Sequence, residues 1–483
     1  MTAAVALPLP EAPSLIAFER SPGLIRFAGT IPGRVMLLLV YGAMLQPASA
    51  HWLAILAATA ALTFTPRRHA ATITALATLA VFLLEPDWYH DFAPALIAKR
   101  ARLEDWFTPA LRWGAPCLLL GFTALFLAAV RAGRPRVIAR HPLLCLIAAL
   151  LALFAAAIVG PGDATIKIWV WSIASALSGY MWIIALIASE QRNSQSRVPF
   201  LLQFGTMHPF WGSPATPYTV APNKLNKMAA PDGDALAALQ LRGLKLLLWA
   251  DALFVISAAY AFVAHKYFGI PTFHEALARY LGDGLPWHLR WLCLFSDFFE
   301  YIIRLAAAGH VIIAAAHMAG YNLPRNTQNP LGSRNLAEFW GRYYYYFKEL
   351  MLNLFYFPAY LSCFRAYPKL RAAFATFMAA GVGNLLFHFL RELDKIADIG
   401  FVKAAVGMQT YAFYCLVLSI GIAVSQLRAQ HRRPPSSHLR DRVAPFVTVM
   451  GFFCLLHIFD DTGRTVLLVD HLSFFFSLFA PFS

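Results

Sequence analysis

His388 is the one ionisable side chain in an apolar run that ends in Arg391 and Glu392, FMAAGVGNLLFHFLRE (377–392). A neutral imidazole is the usual group for taking a proton from an attacking hydroxyl. A lone histidine on an apolar helix also fits a simpler role, hydrogen-bonded to a neighbouring helix. Upstream, Glu338, Phe339, Trp340, Gly341 and Arg342 precede four consecutive tyrosines, Tyr343 to Tyr346. A phenol keeps its proton at neutral pH, so Tyr344 can donate a hydrogen bond to a carbonyl; a tyrosine run equally suits an interfacial aromatic belt. Phe339 and Trp340 suit a substrate path or plain packing. Asn322, Arg325, Asn326, Gln328 and Asn329 gather amides and a cation in one short stretch. Arg325, Arg334, Arg342 and Lys348 can hold phosphates or meet lipid head groups. Asp297, Glu300 and Arg304 fall on successive turns of one helix. They can bind a polar acceptor or orient a catalytic group, although an internal ion pair between helices is the expected role. His317, near the end of the same run, suits an entrance or an interface. His457, Asp460 and Asp461 have the makings of a proton or metal site, but adjacent aspartates at a helix end are usually solvated and no metal is expected.

The elements that must carry these groups follow from composition. Of 483 residues, 59% are hydrophobic and 13% charged, and the mean hydropathy is +0.57, which is membrane-protein usage. A helix needs roughly 20 residues to cross a hydrocarbon core of about 30 Å. Runs at 35–48, 51–65, 70–84, 113–131, 142–160, 166–188, 245–266, 291–318, 372–391, 401–426, 443–459 and 466–482 are the candidates. Uninterrupted apolar runs exclude a barrel. The expected fold is therefore all-α, a polytopic transmembrane bundle of about 11–12 spans, with the first two forming a tilted or re-entrant hairpin. In such a chain an ionisable residue within a span is costly and tends to be functional.

The net charge of +15 collects in short links, at Arg67 and Arg68, at Arg131, Arg134, Arg136 and Arg140, and at Arg428, Arg432, Arg433, Arg440 and Arg442. Counting spans places all three on one side, the cytoplasmic one, so the charge marks topology and nucleic acid is not an expected partner. Residues 1–34 lack a cleavable signal pattern and are expected to be a cytoplasmic segment, the first span serving for insertion. The six single cysteines suit core positions, not disulfides or zinc. N-terminal spans occupy 35–188 and C-terminal ones 401–483. Between 189 and 240 lies a polar, aromatic-rich link containing QFGTMHPFWGSPATPY, of a length that suggests an ordered, functional segment. Residues 321–363 have the mixed polarity of re-entrant or interfacial helices.

Residues 241–400 resemble the membrane-bound O-acyltransferase superfamily, in particular its bacterial branch that acylates exported polysaccharides. AGYNLPRNTQNPL (319–331) stands where members carry a segment like GFRLPENFNSPY. Glu338 to Arg342 match the start of EFWRRWHISL, and Pro358 keeps the family spacing. RGLKLLLWADAL (242–253) is similar to GLFKKVVIADNL with one residue fewer, and LFSDFFEY (294–301) takes the place of an aromatic-acidic segment such as YFDFSGYSD. The resemblance implies a catalytic histidine deep in a helix downstream, and His388 has that position, with a looser spacing from its preceding glycine. Tyr344 stands where members often carry a second polar residue, histidine, asparagine or aspartate.

The resemblance further implies a central tunnel in an inner (cytoplasmic) membrane protein. Through it a cytoplasmic acyl-CoA, plausibly acetyl-CoA, or a carrier thioester would meet a glycan or lipid-linked acceptor. Asn322, Arg325, Asn329, Glu338, Trp340 and Arg342 would lie on the donor or substrate path, with Asp297, Glu300 and Arg304 supporting. No cofactor would be bound permanently; membrane lipids and a periplasmic acyl-relay protein are the remaining partners. Two other classes stay open: an assembly partner with altered chemistry, suggested by Tyr344, and a lipid or solute transporter, against which stands the lack of internal repeats. No P-loop, dinucleotide fingerprint or nucleophile elbow occurs. For the orientation, a Ser436→Cys chain should react with an impermeant maleimide only once the cytoplasmic face is opened; labelling of intact cells would reverse the topology.

Overall fold

The computed structural model describes residues 17–84, 93–160, 162–193, 198–212, 218–429, 440–461 and 466–480. Among these the secondary structure is helical, with no named strand. Seven helices are long and apolar enough to cross a membrane: Pro109–Ala132, Pro142–Val159, Ala164–Gln191, Gly233–Tyr267, Trp287–Met318, Pro368–Phe389 and Gln409–Arg428. Pro22–Gly29 and Ile31–Leu45 pass the same test together but bend by 97°. The chain is thus an all-α bundle with the helices of a multi-pass membrane protein.

Local chemistry sets the boundaries. Thr108 accepts from the Leu111 amide ahead of Pro109, Asp232 from the Ala235 amide, and Thr272 and Glu275 form a reciprocal capping box. Each satisfies amides that the first helical turn leaves unpaired. Two expected spans change. The 401–426 run splits at Met408 into Phe401–Gly407 and Gln409–Ala429, and 466–482 yields only the ten-residue Leu468–Ser477 helix, about 15 Å at 1.5 Å per residue. Phe18–Arg20 and Pro22–Gly29, expected as part of a cytoplasmic tail, fold along the Gly233–Tyr267 helix, where Glu19 pairs with Lys245. Arg67 is more than a topology mark: its guanidinium donates to the carbonyls of Ala230 and Gly320. Of the cysteines, Cys293, Cys415 and Cys454 are buried but Cys117 is exposed. Arg432 and Arg433 lie outside the described residues.

Ala164–Gln191 is the most enclosed of the seven long helices, and two core clusters meet near the helices of 336–362. One gathers Trp182, Phe347, Phe355, Phe387 and Tyr411; the other joins Phe298, Phe339 and Phe453. Small residues allow the tightest approaches. Gly243 lies against Ala314 and His317, and Gly383 against the Phe355 ring, where an added Cβ would stand 2.6 Å from a ring carbon. Both partners in that contact belong to π-helical turns, Leu352–Tyr356 and Phe377–Gly383, a distortion found mostly at functional sites. Gly383→Leu should cost about 1–3 kcal/mol through overpacking, seen as a lower unfolding temperature in detergent and partly restored by adding Phe355→Ala. A Gly383→Leu protein as stable as the parent would show that the approach is not limiting.

Candidate functional site

The aromatic segment after Glu338 is a helix interrupted once. Asn335 caps Leu336–Tyr343 by accepting from the Glu338 amide at 2.9 Å. The helix stops at Tyr344, which leaves helical geometry (φ −139°, ψ 67°), and Tyr345–Met351 resumes beyond it. Such a break frees backbone groups that need partners when buried, and the polar loop at 324–328 supplies them. The Thr327 hydroxyl donates to the Tyr343 carbonyl at 2.9 Å, the Gln328 amide to the Arg342 carbonyl at 2.7 Å, and the Tyr345 amide to the Asn326 carbonyl at 3.1 Å. The Tyr346 amide donates to Asn326 Oδ1 and its hydroxyl to the Pro324 carbonyl. Asn326 is fully buried.

The expected substrate-path residues divide accordingly. Glu338 and Arg342 pair with each other; Glu338 also accepts from the Arg334 amide, and Arg342 donates to the Asn329 carbonyl. They brace the loop against the helix. Asn322, Arg325 and Asn329 are exposed on the loop's outer side. Trp340 and Tyr344 turn inward and pack against the core that contains Phe347 and Phe387.

His388 reaches the same place from the other side. It lies half-buried in the Asn384–Phe389 helix that follows the second π-helical segment. Its ring is 4.7 Å from Tyr411 and 5.9 Å from Phe347, and Phe347 is 5.6 Å from Tyr344. The Tyr411 hydroxyl donates to Asn384 Oδ1 at 3.2 Å, while the Ser178 hydroxyl holds the Leu390 carbonyl at 2.7 Å. Arg391, one turn beyond His388, lies over the Phe387 ring at 5.0 Å. Burial lowers its pKa, opposed by Tyr344 and Tyr180.

A second polar centre lies across these aromatics. His457 Nε2 and Asp297 Oδ2 are 2.8 Å apart, and the His457 ring stacks on Tyr301 at 5.6 Å. One aromatic path runs between the centres, and a further aromatic pair extends from the Tyr411 side of His388. Tyr411 stacks on Tyr414 at 5.2 Å, and Tyr344, Tyr343 and Tyr301 follow one another at 6.4 Å. The Tyr343 hydroxyl is buried without a partner among the described residues, and burial pushes its pKa well up, as do Tyr301 and Asp460, so it stays protonated. Burial also raises the Asp460 carboxyl, against the neighbouring His457. Glu300 sits apart, 3.2 Å from His265 and 3.7 Å from an exposed Arg304. The supporting trio therefore separates: Asp297 joins His457, Glu300 reaches His265 on the neighbouring helix, and Arg304 is an exposed partner of Glu300 on its own helix. Among the described residues no three His, Cys, Asp or Glu side chains could hold a metal ion.

Sequence reasoning missed the Asp297–His457 pairing, because 160 positions separate the partners; the ionisable Asp297 inside a span was the available signal. Arg391 was within the quoted run and went unremarked. His208 was missed inside the link, where Phe200–Met207 and Pro222–Lys227 are helical and Met207, Phe210, Trp211 and Tyr218 are buried. The link belongs to the bundle, with Gly205 closely packed on Ala75.

No protein-family model matches this chain, and no curated protein does. The resemblance at 241–400 thus rests on the residues quoted for it.

His208 gives a pH test of this packing. Burial, with a smaller contribution from His51, lowers its pKa from 6.5 to about 4. The folded chain keeps it neutral where the unfolded chain binds a proton, so stability is full above pH 6.5 and falls as pH drops towards 4. His208→Gln should flatten that part of the stability profile in detergent; an unchanged slope would exclude His208 as its source.

Proposed function

We propose that the chain is a membrane-embedded O-acyltransferase, moving an acyl group, plausibly acetyl, from a cytoplasmic acyl-CoA or carrier thioester to a hydroxyl of a glycan or lipid-linked acceptor. The observation that carries the reading is the meeting of two distant segments across Phe347: the helix bearing His388 and the interrupted helix bearing Trp340 and Tyr344. The interrupted helix carries one of the segments through which the sequence resembles the acyltransferases, and His388 has the position that the resemblance implies for a catalytic histidine. An inner-membrane setting, with the cytoplasmic links at 67–68, 131–140 and 428–442, accompanies the reading. So does a bundle of 11–12 crossings around a central passage. The bent pair and the shorter helices Trp52–Phe64, Ala70–Leu84, Arg440–His457 and Leu468–Ser477 would complete it.

In the proposed reaction the acceptor hydroxyl gives its proton to a neutral His388 imidazole while its oxygen attacks the thioester carbonyl carbon. The C–O bond forms, negative charge develops on the carbonyl oxygen, and the Tyr344 hydroxyl or the Arg391 guanidinium stabilises it. Collapse breaks the C–S bond, and the leaving thiolate takes the proton back from His388. Ester and free thiol result, with no net proton change. The surrounding Phe347, Phe387 and Tyr411 rings exclude water that would hydrolyse the thioester.

His388→Ala in purified, lipid-reconstituted protein should lower acetyl transfer from labelled acetyl-CoA to a mixture of glycan acceptors by about 100-fold or more. Tyr344→Phe should lower kcat while leaving the donor KM unchanged. Undiminished turnover in His388→Ala would sink the assignment.

A further inference from the structure

The Trp287–Met318 helix has two exposed faces. Leu292, Phe295 and Phe299 form an apolar one suited to lipid, whereas Asp297, Tyr301, Arg304 and Ala308, spaced three and four residues apart, line the opposite side. Arg304 is 69% exposed near the middle of this span, and a charge at that depth belongs against a water-filled space inside the bundle, not against hydrocarbon. Beside the same face stand His457, which pairs with Asp297, and Tyr343, whose ring is 6.4 Å from Tyr301. The lining keeps open surface: Tyr301 is 44% exposed, the Asp297 side chain 31%, and Tyr343, Tyr344, Tyr414 and Asp460 are partly exposed.

Asp460 is the group that this lining leaves unmatched. No hydrogen bond or salt bridge to its carboxylate occurs among the described residues. It lies within electrostatic range of the phenols of Tyr301, Tyr343, Tyr411 and Tyr414, which come from three different helices. Its charged neighbours are His457, Asp461 and Asp297, and His471 is 3.9 Å from Asp461. Three carboxylates thus face two histidines, and even with both imidazoles protonated one negative charge is left over. The Tyr343 hydroxyl, buried and unpaired among the described residues, is a second unfilled group in the cluster, and buried polar groups normally have a partner.

Phenol faces attract an ammonium group through the ring quadrupole, and a carboxylate without a counter-ion supplies the opposite charge. We propose that the crevice between Tyr301, Tyr343 and Tyr414 binds an ammonium group of the acceptor against Asp460, so that the acceptor is an amino-bearing glycan or head group. The inference rests on the acyltransferase reading and gives it a substrate class. A neutral sugar could hydrogen-bond to the carboxylate but would leave its charge unmatched. Tyr411 is 4.7 Å from His388 and 5.2 Å from Tyr414, so an ammonium group held at Asp460 lies two aromatic rings from the imidazole, and the acceptor hydroxyl extends from it towards His388.

The test titrates purified full-length protein in nonionic detergent calorimetrically, with no acyl donor present. The probes are glucosamine against N-acetylglucosamine, and choline against its uncharged carbon isostere. In at least one pair the ammonium member should bind about tenfold more tightly than its uncharged counterpart; selectivity for glucosamine identifies an amino-glycan, selectivity for choline a lipid head group. Asp460→Asn, which keeps the shape, should abolish the selectivity, and Tyr301→Leu should reduce it severalfold, the second variant serving alone should the first not fold. Absence of binding, equal affinity within both pairs, or a selectivity that survives these substitutions overturns the proposal. Turnover does not enter the measurement. Ammonium selectivity in a protein that transfers no acyl group would keep the site and remove the acyltransferase reading, whereas an active enzyme without the selectivity would lose the site alone.

Discussion

The buried backbone at Tyr344 is the constraint on which the rest of the site depends. A helix can stop inside a lipid-facing bundle only if other groups take up the amides and carbonyls it releases. Here one loop does so, through Asn326, Thr327, Gln328 and Pro324. Asn326 in turn lies against Gly309 of the Trp287–Met318 helix, where a Cβ would approach to 3.1 Å. The chain of dependence runs from a glycine in a span, through an asparagine with no solvent exposure, to the direction in which Trp340 and Tyr344 point.

The two polar centres on either side of the aromatic path differ in how their charge is handled. Asp297 is held by His457, whereas the region around Tyr344 and His388 relies on neutral hydroxyls, an imidazole and Arg391 spread over a ring face. Neutral polar groups cost less to bury than unpaired ions, so a path of phenols joins the centres without demanding counter-charges along its length. That arrangement also leaves the hydroxyls able to donate or accept as a bound molecule requires.

Much of the architecture was legible because a span announces itself by length and hydropathy: five of the seven long helices match their expected runs to within a few residues at each end. The exceptions have physical reasons. Gly233–Tyr267 begins a dozen residues early because its first turns bury Gln240 and expose Arg242, and a single-sequence reading takes such polar residues as a boundary. The 401–426 run breaks at Met408 with no proline to warn of it; the first helix ends on Gly407. At the candidate site, local order singled out Tyr344 by the segment it stands in and His388 by its position downstream. His457 with Asp297, and His208 with Tyr180, meet only through the fold, and no spacing along the chain encodes them. The loop polar residues illustrate a further limit: Asn322, Asn326 and Asn329 are the same residue type within eight positions, yet one is buried holding backbone and two face outward.

The pairing of Glu19 with Lys245 bears on how such a molecule is assembled. The two charges are 226 positions apart, and both side chains are nearly enclosed. During synthesis the N-terminal arm therefore waits, its carboxylate solvated, while half the chain is threaded into the bilayer. Only when the Gly233–Tyr267 helix arrives does the arm have a berth. The lysine faces the mirror problem, entering lipid with a charge that is neutralised by a segment made long before. The arm at 18–29 thus settles only once the Gly233–Tyr267 helix is in place.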